Sequence, residues 1–497
     1  MYLLGYDIGS SFIKASLLDA QSGKLLAAAS APDTEMNMIS HQPGWAEQDP
    51  QVWWQNAKSA TASLKSQGYD LKKVKAIGIS YQMHGLVVVD KDKQVLRPSI
   101  IWCDSRAVSI GDKAFNEIGE EKSLAHFLNS PGNFTASKLK WVKDHEPQLY
   151  NRIDKIMLPG DFIAMCLTGD ISTTASGLSE GIMWDYQSES PASLLLDYYG
   201  ISPDLLPRIA STFAVQGEVT GTVASELGLT AGTPVAYRAG DQPNNAFSLN
   251  VLEPGELAAT AGTSGVVYGI TDKINYDIKS RVNTFLHVNH TVEQPRYGTL
   301  LCVNGTGILN RWLKNMVMGN NTNGSAYVEM NKLANQAPIG SQGLVTIPYG
   351  NGAERSLENK LLGSSLHGLD FNMHNKSHLL RSAQEGIVFA LNLGVDVMRG
   401  LGVEPKTVRA GDANMFLSPL FSEAFAAVTG AVVELYNTDG AQGAARGAGV
   451  GAGVFKNTSE AFKGLQTVKT IEPDPQMQIV YKEAYQHWLS YLKKELV

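Results

Sequence analysis

Leu3-Leu4-Gly5-Tyr6-Asp7-Ile8-Gly9-Ser10-Ser11-Phe12-Ile13-Lys14-Ala15-Ser16-Leu17-Leu18 is the stretch whose reading decides the fold. An apolar run enters a turn of Asp, Gly and Ser, and a second run of β-branched and small residues leaves it, which predicts a β-hairpin. Half a chain later the pattern returns. Leu257 to Ala261 enters Gly262-Thr263-Ser264-Gly265, and Val266 to Ile270 leaves it, so that Gly9-Ser10-Ser11 aligns with Gly262-Thr263-Ser264. Two such hairpins predict two related α/β halves, one over 1–250 and one over 251–497, with Leu252-Glu253-Pro254 at the crossing.

The surrounding chain mixes strands and helices. Glu47-Gln48-Asp49-Pro50 opens a helix carrying Trp53, Trp54, Ala57 and Ala60, since an acid and a proline suit a helix start. Val74–Tyr81 reads as a buried strand, and 87–90 and 93–97 as two further strands around a turn. Leu158-Pro159-Gly160-Asp161 precedes a helix that ends near Gly169. Strands enter Ala239-Gly240-Asp241-Gln242 and Gly411-Asp412-Ala413-Asn414.

Composition narrows the function. The 497 residues carry 41 Lys and Arg against 48 Asp and Glu, a net charge of −7, which excludes a broadly basic nucleic-acid binder. With 43% hydrophobic and 18% charged residues the chain is globular and not disordered as a whole. Cys103, Cys166 and Cys302 have no Cys-x-x-Cys spacing, so they read as three buried, reduced thiols of a cytoplasmic protein. The N-terminus lacks the basic region of a secretory leader, and no run reaches the roughly 18 apolar residues of a membrane span. The ten histidines show no ligand spacing.

Paired Gly-Ser/Thr hairpins suit phosphate binding, because glycine admits close backbone approach while amides and hydroxyls donate to oxygens. Beside Asp7, Asp241 and Gly411 they fit an ATP-phosphate clamp. No Gly-x-x-x-x-Gly-Lys-[Ser/Thr] occurs, so the chain is not a P-loop protein. Gly447-Ala448-Gly449-Val450-Gly451-Ala452 matches a loose dinucleotide pattern. It lies within a small-residue run after Asp439, and a closely packed helix capped by Asp439 explains it more simply. Ala-Gly-Asp occurs twice, and spacing alone does not say whether Asp241 or Asp412 is catalytic. His84, in Gln82-Met83-His84-Gly85, reads either as a donor to a sugar hydroxyl or as a satisfied core histidine. Trp102, Asp104 and Arg106 alternate, which in an extended segment places them on one face. That set reads as a polyol site or as an ion pair beside a packed ring.

These motifs, in this order and over nearly the whole chain, resemble the FGGY family of carbohydrate kinases, and most closely its members that phosphorylate D-xylulose. Tyr6-Asp7-Ile8-Gly9-Ser10-Ser11 and Ala261-Gly262-Thr263-Ser264-Gly265 resemble its two phosphate motifs. Gln82-Met83-His84-Gly85 and Trp102-Cys103-Asp104-Ser105-Arg106 resemble its sugar segments. Phe134-Thr135-Ala136-Ser137-Lys138-Leu139-Lys140-Trp141 resembles a family signature, and Gly240-Asp241-Gln242 its catalytic motif. Departures are Gly160 in place of a lysine, Gln384 in place of an apolar residue, and Arg409-Ala410-Gly411-Asp412-Ala413-Asn414 where many relatives have three glycines.

The resemblance implies two actin-like, ribonuclease-H-like lobes with an interlobe active-site cleft, and transfer of a phosphoryl group from ATP to D-xylulose, giving D-xylulose 5-phosphate. It implies that Asp241 is the base, with Met83, His84, Trp102, Asp104, Arg106 and Gln242 also toward the sugar. Gly9, Ser10, Ser11, Lys14, Gly262, Thr263, Gly305, Gly307, Gly411 and Asn414 are placed toward the nucleotide. Asp7 is expected to hold nucleotide-bound Mg²⁺ through water. Sugar and ATP are the expected partners, with no nucleic acid and no membrane, and a homodimer is compatible with this reading. The alternatives are a kinase for ribulose, fuculose, glycerol or gluconate, or a non-catalytic sugar sensor on the same fold.

Overall fold

The computed structural model describes residues 1–319, 326–352, 355–358, 360 and 362–496. These divide into two compact units. Unit 1 comprises Met1–Asn250, Phe285–Tyr297 and Thr438–Leu465, and unit 2 comprises Val251–Thr284, Gly298–Asn437 and Gln466–Val497. Unit 1 therefore takes in two segments that a single cut after residue 250 assigns to the second half.

The hairpin that opens the chain is formed by Tyr2–Ile8 and Ile13–Asp19, paired antiparallel from Tyr2↔Asp19 to Ile8↔Ile13. The Gly9 N–H donates to the Phe12 carbonyl at 3.1 Å and closes the turn. Beyond the hairpin, Val74–Tyr81 lies parallel to Tyr2–Ile8, Pro234–Gly240 lies parallel to Val74–Tyr81, and Phe213–Glu218 closes that edge antiparallel. Unit 2 repeats the scheme. Glu256–Ala261 and Gly265–Thr271 form the hairpin, Thr407–Gly411 and Val432–Tyr436 follow in parallel, and Thr467–Ile471 closes antiparallel. The repeated hairpin is thus the visible part of a repeated five-strand order. The repeat also separates the two Ala-Gly-Asp strand ends: Asp412 follows the strand next to its hairpin, whereas Asp241 follows the strand one further out.

Helix Pro50–Ser66 starts where expected. Asp49 accepts the Gln51 N–H, and Trp53, Trp54, Ala57, Ala60 and Leu64 form its buried face. Helix Pro159–Thr168 ends at Gly169 in the left-handed conformation. Helix Gly440–Gly451, capped by Asp439, is pressed onto the sheet of unit 1. A methyl group on Gly5 would stand 1.9 Å from the Ala441 carbonyl oxygen, and one on Gly447 would stand 2.4 Å from the Tyr237 ring. Close packing of a helix on a sheet therefore accounts for the glycine run, and no dinucleotide loop is formed.

Three local expectations fail. Residues 93–97 are not a strand: only Val95 bridges to Val89, after a turn with Lys93 at φ 61°. The segment after Ile101 is turned and not extended, so Trp102, Asp104 and Arg106 do not share a face. The cysteines are free thiols but not buried, since Cys103 is exposed and Cys166 and Cys302 are half-buried. No helix among the described residues is long and apolar enough to cross a membrane.

Candidate active site

Tyr2–Ile8, Val74–Tyr81 and Pro234–Gly240 are neighbours and parallel, so their carboxyl ends open on the same edge of the sheet. Ligands of open α/β sheets bind at such edges. The three ends carry Asp7, Gln82-Met83-His84 and Asp241.

Asp7 lies opposite Ser80 in register and accepts the Ser80 hydroxyl at 2.9 Å. Across the hairpin it pairs in register with the exposed Lys14. Burial raises the Asp7 pKa, Lys14 and Ser80 pull it down, and the charge of Asp439 pushes it up again. Asp241 begins helix Asp241–Ser248 and is half-buried. Burial and then the neighbouring charge of Asp7 push its pKa up to about 7, against hydrogen bonds from the Gln242 side chain and backbone. Asp7 and Asp241 are close enough to repel, and Lys14 offsets the charge of Asp7, so the pair leaves an excess of negative charge. Such a donor set fits a divalent cation arriving with a nucleotide.

Met83 is buried against Gly240, its Cγ 2.7 Å from where a Cβ would stand. His84 is non-glycine at φ 62°. Its Nδ1 lies 2.9 Å from the Glu180 carbonyl oxygen and 3.6 Å from the Glu180 carboxylate. A carbonyl only accepts, so Nδ1 carries the proton. Glu180 was not legible as a site residue. It is buried at the end of helix Ala175–Glu180, and its Oε2 is 3.2 Å from the Cβ position of Gly240. Burial, together with the charges of Asp241 and Asp161, holds its carboxyl well above the usual range. Behind it Arg238 pairs with Asp161 at 3.0 Å. The departure at Gly160 has a steric reason here, since a Cβ would meet the Tyr81 ring at 2.1 Å.

Asp104 and Arg106 are internal. Asp104 accepts the Ala46 N–H at 2.6 Å and pairs with Arg106 at 2.7 Å, and Arg106 also reaches Glu47 at 2.6 Å under the Trp45 ring. Trp102 is 40% exposed, and its Nε1 lies 3.4 Å from the Ser10 hydroxyl in the first hairpin.

In unit 2, Ala261↔Gly265 closes the second hairpin. Its Gly262 and Thr263 carbonyls accept the N–H groups of Gly307 and Ile308, the start of helix Gly307–Met318. Glycine is required at two points here. A Cβ on Gly307 would stand 2.3 Å from the Gly262 oxygen, and one on Gly305 would stand 1.5 Å from the Pro348 oxygen. Asn414, left-handed at φ 56°, brings its Nδ2 to 3.6 Å from the Cβ position of Gly262. Gly411 ends its strand, and Asp412 beyond it is exposed.

Residues 2–248 match the N-terminal domain of the FGGY family of carbohydrate kinases, and residues 257–454 match its C-terminal domain. The chain belongs to this family. As an FGGY carbohydrate kinase it uses ATP. It is similar to the xylulose kinase of Escherichia coli (strain K12), 30% identical over 490 residues that cover 97% of this chain and 96% of that one. It is also similar to the L-xylulose/3-keto-L-gulonate kinase of the same strain, 29% identical over 98% of this chain and 96% of that one. Among solved structures it resembles the xylulose kinase from Rhodospirillum rubrum, with a TM-score of 0.88 and 27% identity over 99% of both chains.

Proposed function

We propose that the chain transfers the γ-phosphoryl group of ATP to the 5-hydroxyl of D-xylulose. The observation that carries the reading is the meeting of Asp7, Met83-His84 and Asp241 at three adjacent parallel strand ends, with the Asp241 pKa raised to about 7. A sugar hydroxyl is a poor nucleophile until its proton has a destination, and a carboxyl poised near neutral pH is an effective one. The hydroxyl proton passes to the Asp241 carboxylate as the oxygen bonds to the γ-phosphorus, and the bond from that phosphorus to the β–γ bridging oxygen breaks, leaving ADP. In a loose transition state the proton moves late, so Asp241 aligns the hydroxyl as well as deprotonating it.

Met83, His84 and Gln242 face the sugar. Asp104 and Arg106 act from beneath, since their charges are spent on each other, on Glu47 and on the Ala46 N–H, while Trp102 covers the first hairpin. Gly9, Ser10, Ser11 and Lys14 on unit 1, and Gly262, Thr263, Gly305, Gly307, Gly411 and Asn414 on unit 2, serve the nucleotide. Asp7 would hold Mg²⁺ through water, and the metal would supply charge neutralisation on the phosphates.

A second reading has a specific basis, because the L-xylulose/3-keto-L-gulonate kinase is nearly as similar as the xylulose kinase. A coupled ADP-release assay on D-xylulose, L-xylulose, 3-keto-L-gulonate, ribulose, fuculose, glycerol and gluconate separates them. D-xylulose is expected to give the highest kcat/KM. A clear preference for any other acceptor overturns the sugar assignment, and no turnover on any of them favours a sensor.

A further inference from the structure

Lys138 is the least expected side chain around the sugar segments. It lies in helix Thr135–His145, it is 0% exposed, and its ammonium group is inside unit 1. Burying a lysine is costly unless its donors are used. Here Nζ donates to the His84 carbonyl at 2.8 Å and to the Ile101 carbonyl at 2.9 Å. These carbonyls belong to the two segments that flank the sugar reading, 82–85 and 101–106. Burial pushes the amine down to about 7, while the charges of Asp104, Cys103 and Glu180 pull it up and that of Arg106 pushes it down.

The contact with His84 matters because of that residue's backbone. A left-handed non-glycine conformation is sterically unfavourable and persists only where its surroundings over-determine it. His84 is held through both its backbone and its ring. Its carbonyl is tied to Lys138, its Nδ1–H donates to the Glu180 carbonyl, and its ring lies edge-on to Phe134 at 4.8 Å and against Phe285 at 5.5 Å. The His84 side chain stays partly exposed, so part of the ring is accessible to a substrate. Among these contacts, the one to Lys138 also ties the segment that follows Ile101. Asn133 Nδ2, one residue before Phe134, donates to the Asp104 carbonyl and ties the same segment.

We propose that Lys138 is a positioning residue for the acceptor sugar: by joining the His84 and Ile101 carbonyls it holds His84 in its left-handed conformation and aims the imidazole at the substrate. This rests on the reading of 82–85 as a sugar segment. Lys138 itself touches neither substrate in this account. It acts through His84, so its loss is expected in sugar binding and not in ATP binding.

The test is a double-mutant cycle read by calorimetry, using the sugar of the panel that the wild-type enzyme phosphorylates best, with full-length protein. Lys138→Met should weaken sugar binding about tenfold or more and leave ATP binding within about twofold. In a His84→Asn background, which keeps a residue tolerant of the left-handed region, the same change should cost less than about threefold, since residues acting as one unit are not additive. Equal losses in both backgrounds, or a folded Lys138→Met enzyme binding sugar within threefold of wild type, overturn the proposal. Should Lys138→Met not fold, Lys138→Gln replaces it, with a donor one bond too short to span both carbonyls, and the same thresholds apply. His84→Asn alone is the further check: unchanged sugar affinity leaves Lys138 nothing to act through and overturns the proposal. If no sugar of the panel binds the wild type, the reading of the sugar segment falls instead.

Discussion

In unit 1 three parallel strands end in Asp7, in the Gln82–His84 turn and in Asp241. In unit 2 the corresponding strands end in Gly262-Thr263, in Gly411-Asp412 and in Tyr436-Asn437. One strand order serves two kinds of surface. The first is built from side chains in surroundings that perturb their protonation: Asp7, Glu180 and Asp241 all have raised pKa values. The second is built from backbone, with Gly307 letting a helix start press against the hairpin and Gly305 letting the preceding turn press against Pro348. A proton must be accepted by a group of suitable basicity, whereas phosphate oxygens need donors at fixed positions. On the proposed reading, proton chemistry belongs to unit 1 alone, while the nucleotide is served by the hairpin residues of unit 1 and by the backbone of unit 2.

The largest effect that would break this division is at Asp241. Asp241→Asn keeps the size and loses the base, so kcat should fall by about 10²–10⁴, the usual range for general-base removal, with sugar and ATP still bound by calorimetry. Asp412→Asn, at the other Ala-Gly-Asp strand end and exposed, should stay within about threefold of wild type. If Asp412→Asn is the more damaging change, the roles of the two strand ends are reversed. Next comes Asp7→Ala, which should lower kcat severely and alter its Mg²⁺ dependence while sugar affinity changes little. Normal turnover with normal Mg²⁺ dependence would reduce Asp7 to a turn residue. Smaller still is Gly307→Ala. Its methyl group must displace the Gly262 carbonyl, an overpacking of about 1–3 kcal/mol. ATP KM should rise about tenfold with sugar KM unchanged; a rise in sugar KM alone would contradict the division.

What was legible in the sequence is what local chemistry determines. The two hairpins, the Asp49 and Asp439 caps and the crowded glycine helix each follow from neighbouring residues, and each is present. The carboxylates at strand ends were legible for the same reason. Trp102, Asp104 and Arg106 were misplaced because an alternating pattern implies one face only when the backbone is extended. Here the Asp104 carboxylate folds the chain by accepting the Arg106 and Ala46 N–H groups. Glu47, which shares Arg106, is 59 residues away, and no spacing announces it. Glu180 was not legible as a site residue, and Lys138 was read only as part of a family signature, for a related reason. Each lies on a helix brought to the strand ends by tertiary packing, and its meaning comes from burial beside His84 and not from its neighbours in sequence.

The central claim, that Asp241 is a base made proton-hungry by burial and by Asp7, is tested most directly by titrating it in the free enzyme. The side-chain carboxyl of Asp241 can be followed by carbon-13 chemical shift from pH 4 to 9, with Asp241→Asn providing the assignment. The account predicts a midpoint near 7, so the carboxyl is protonated and inactive as a base below it and ionised above it. Asp7→Asn, which removes the like charge, should move the midpoint down. A wild-type midpoint in the ordinary carboxylate range near 4, unmoved by Asp7→Asn, would contradict the account.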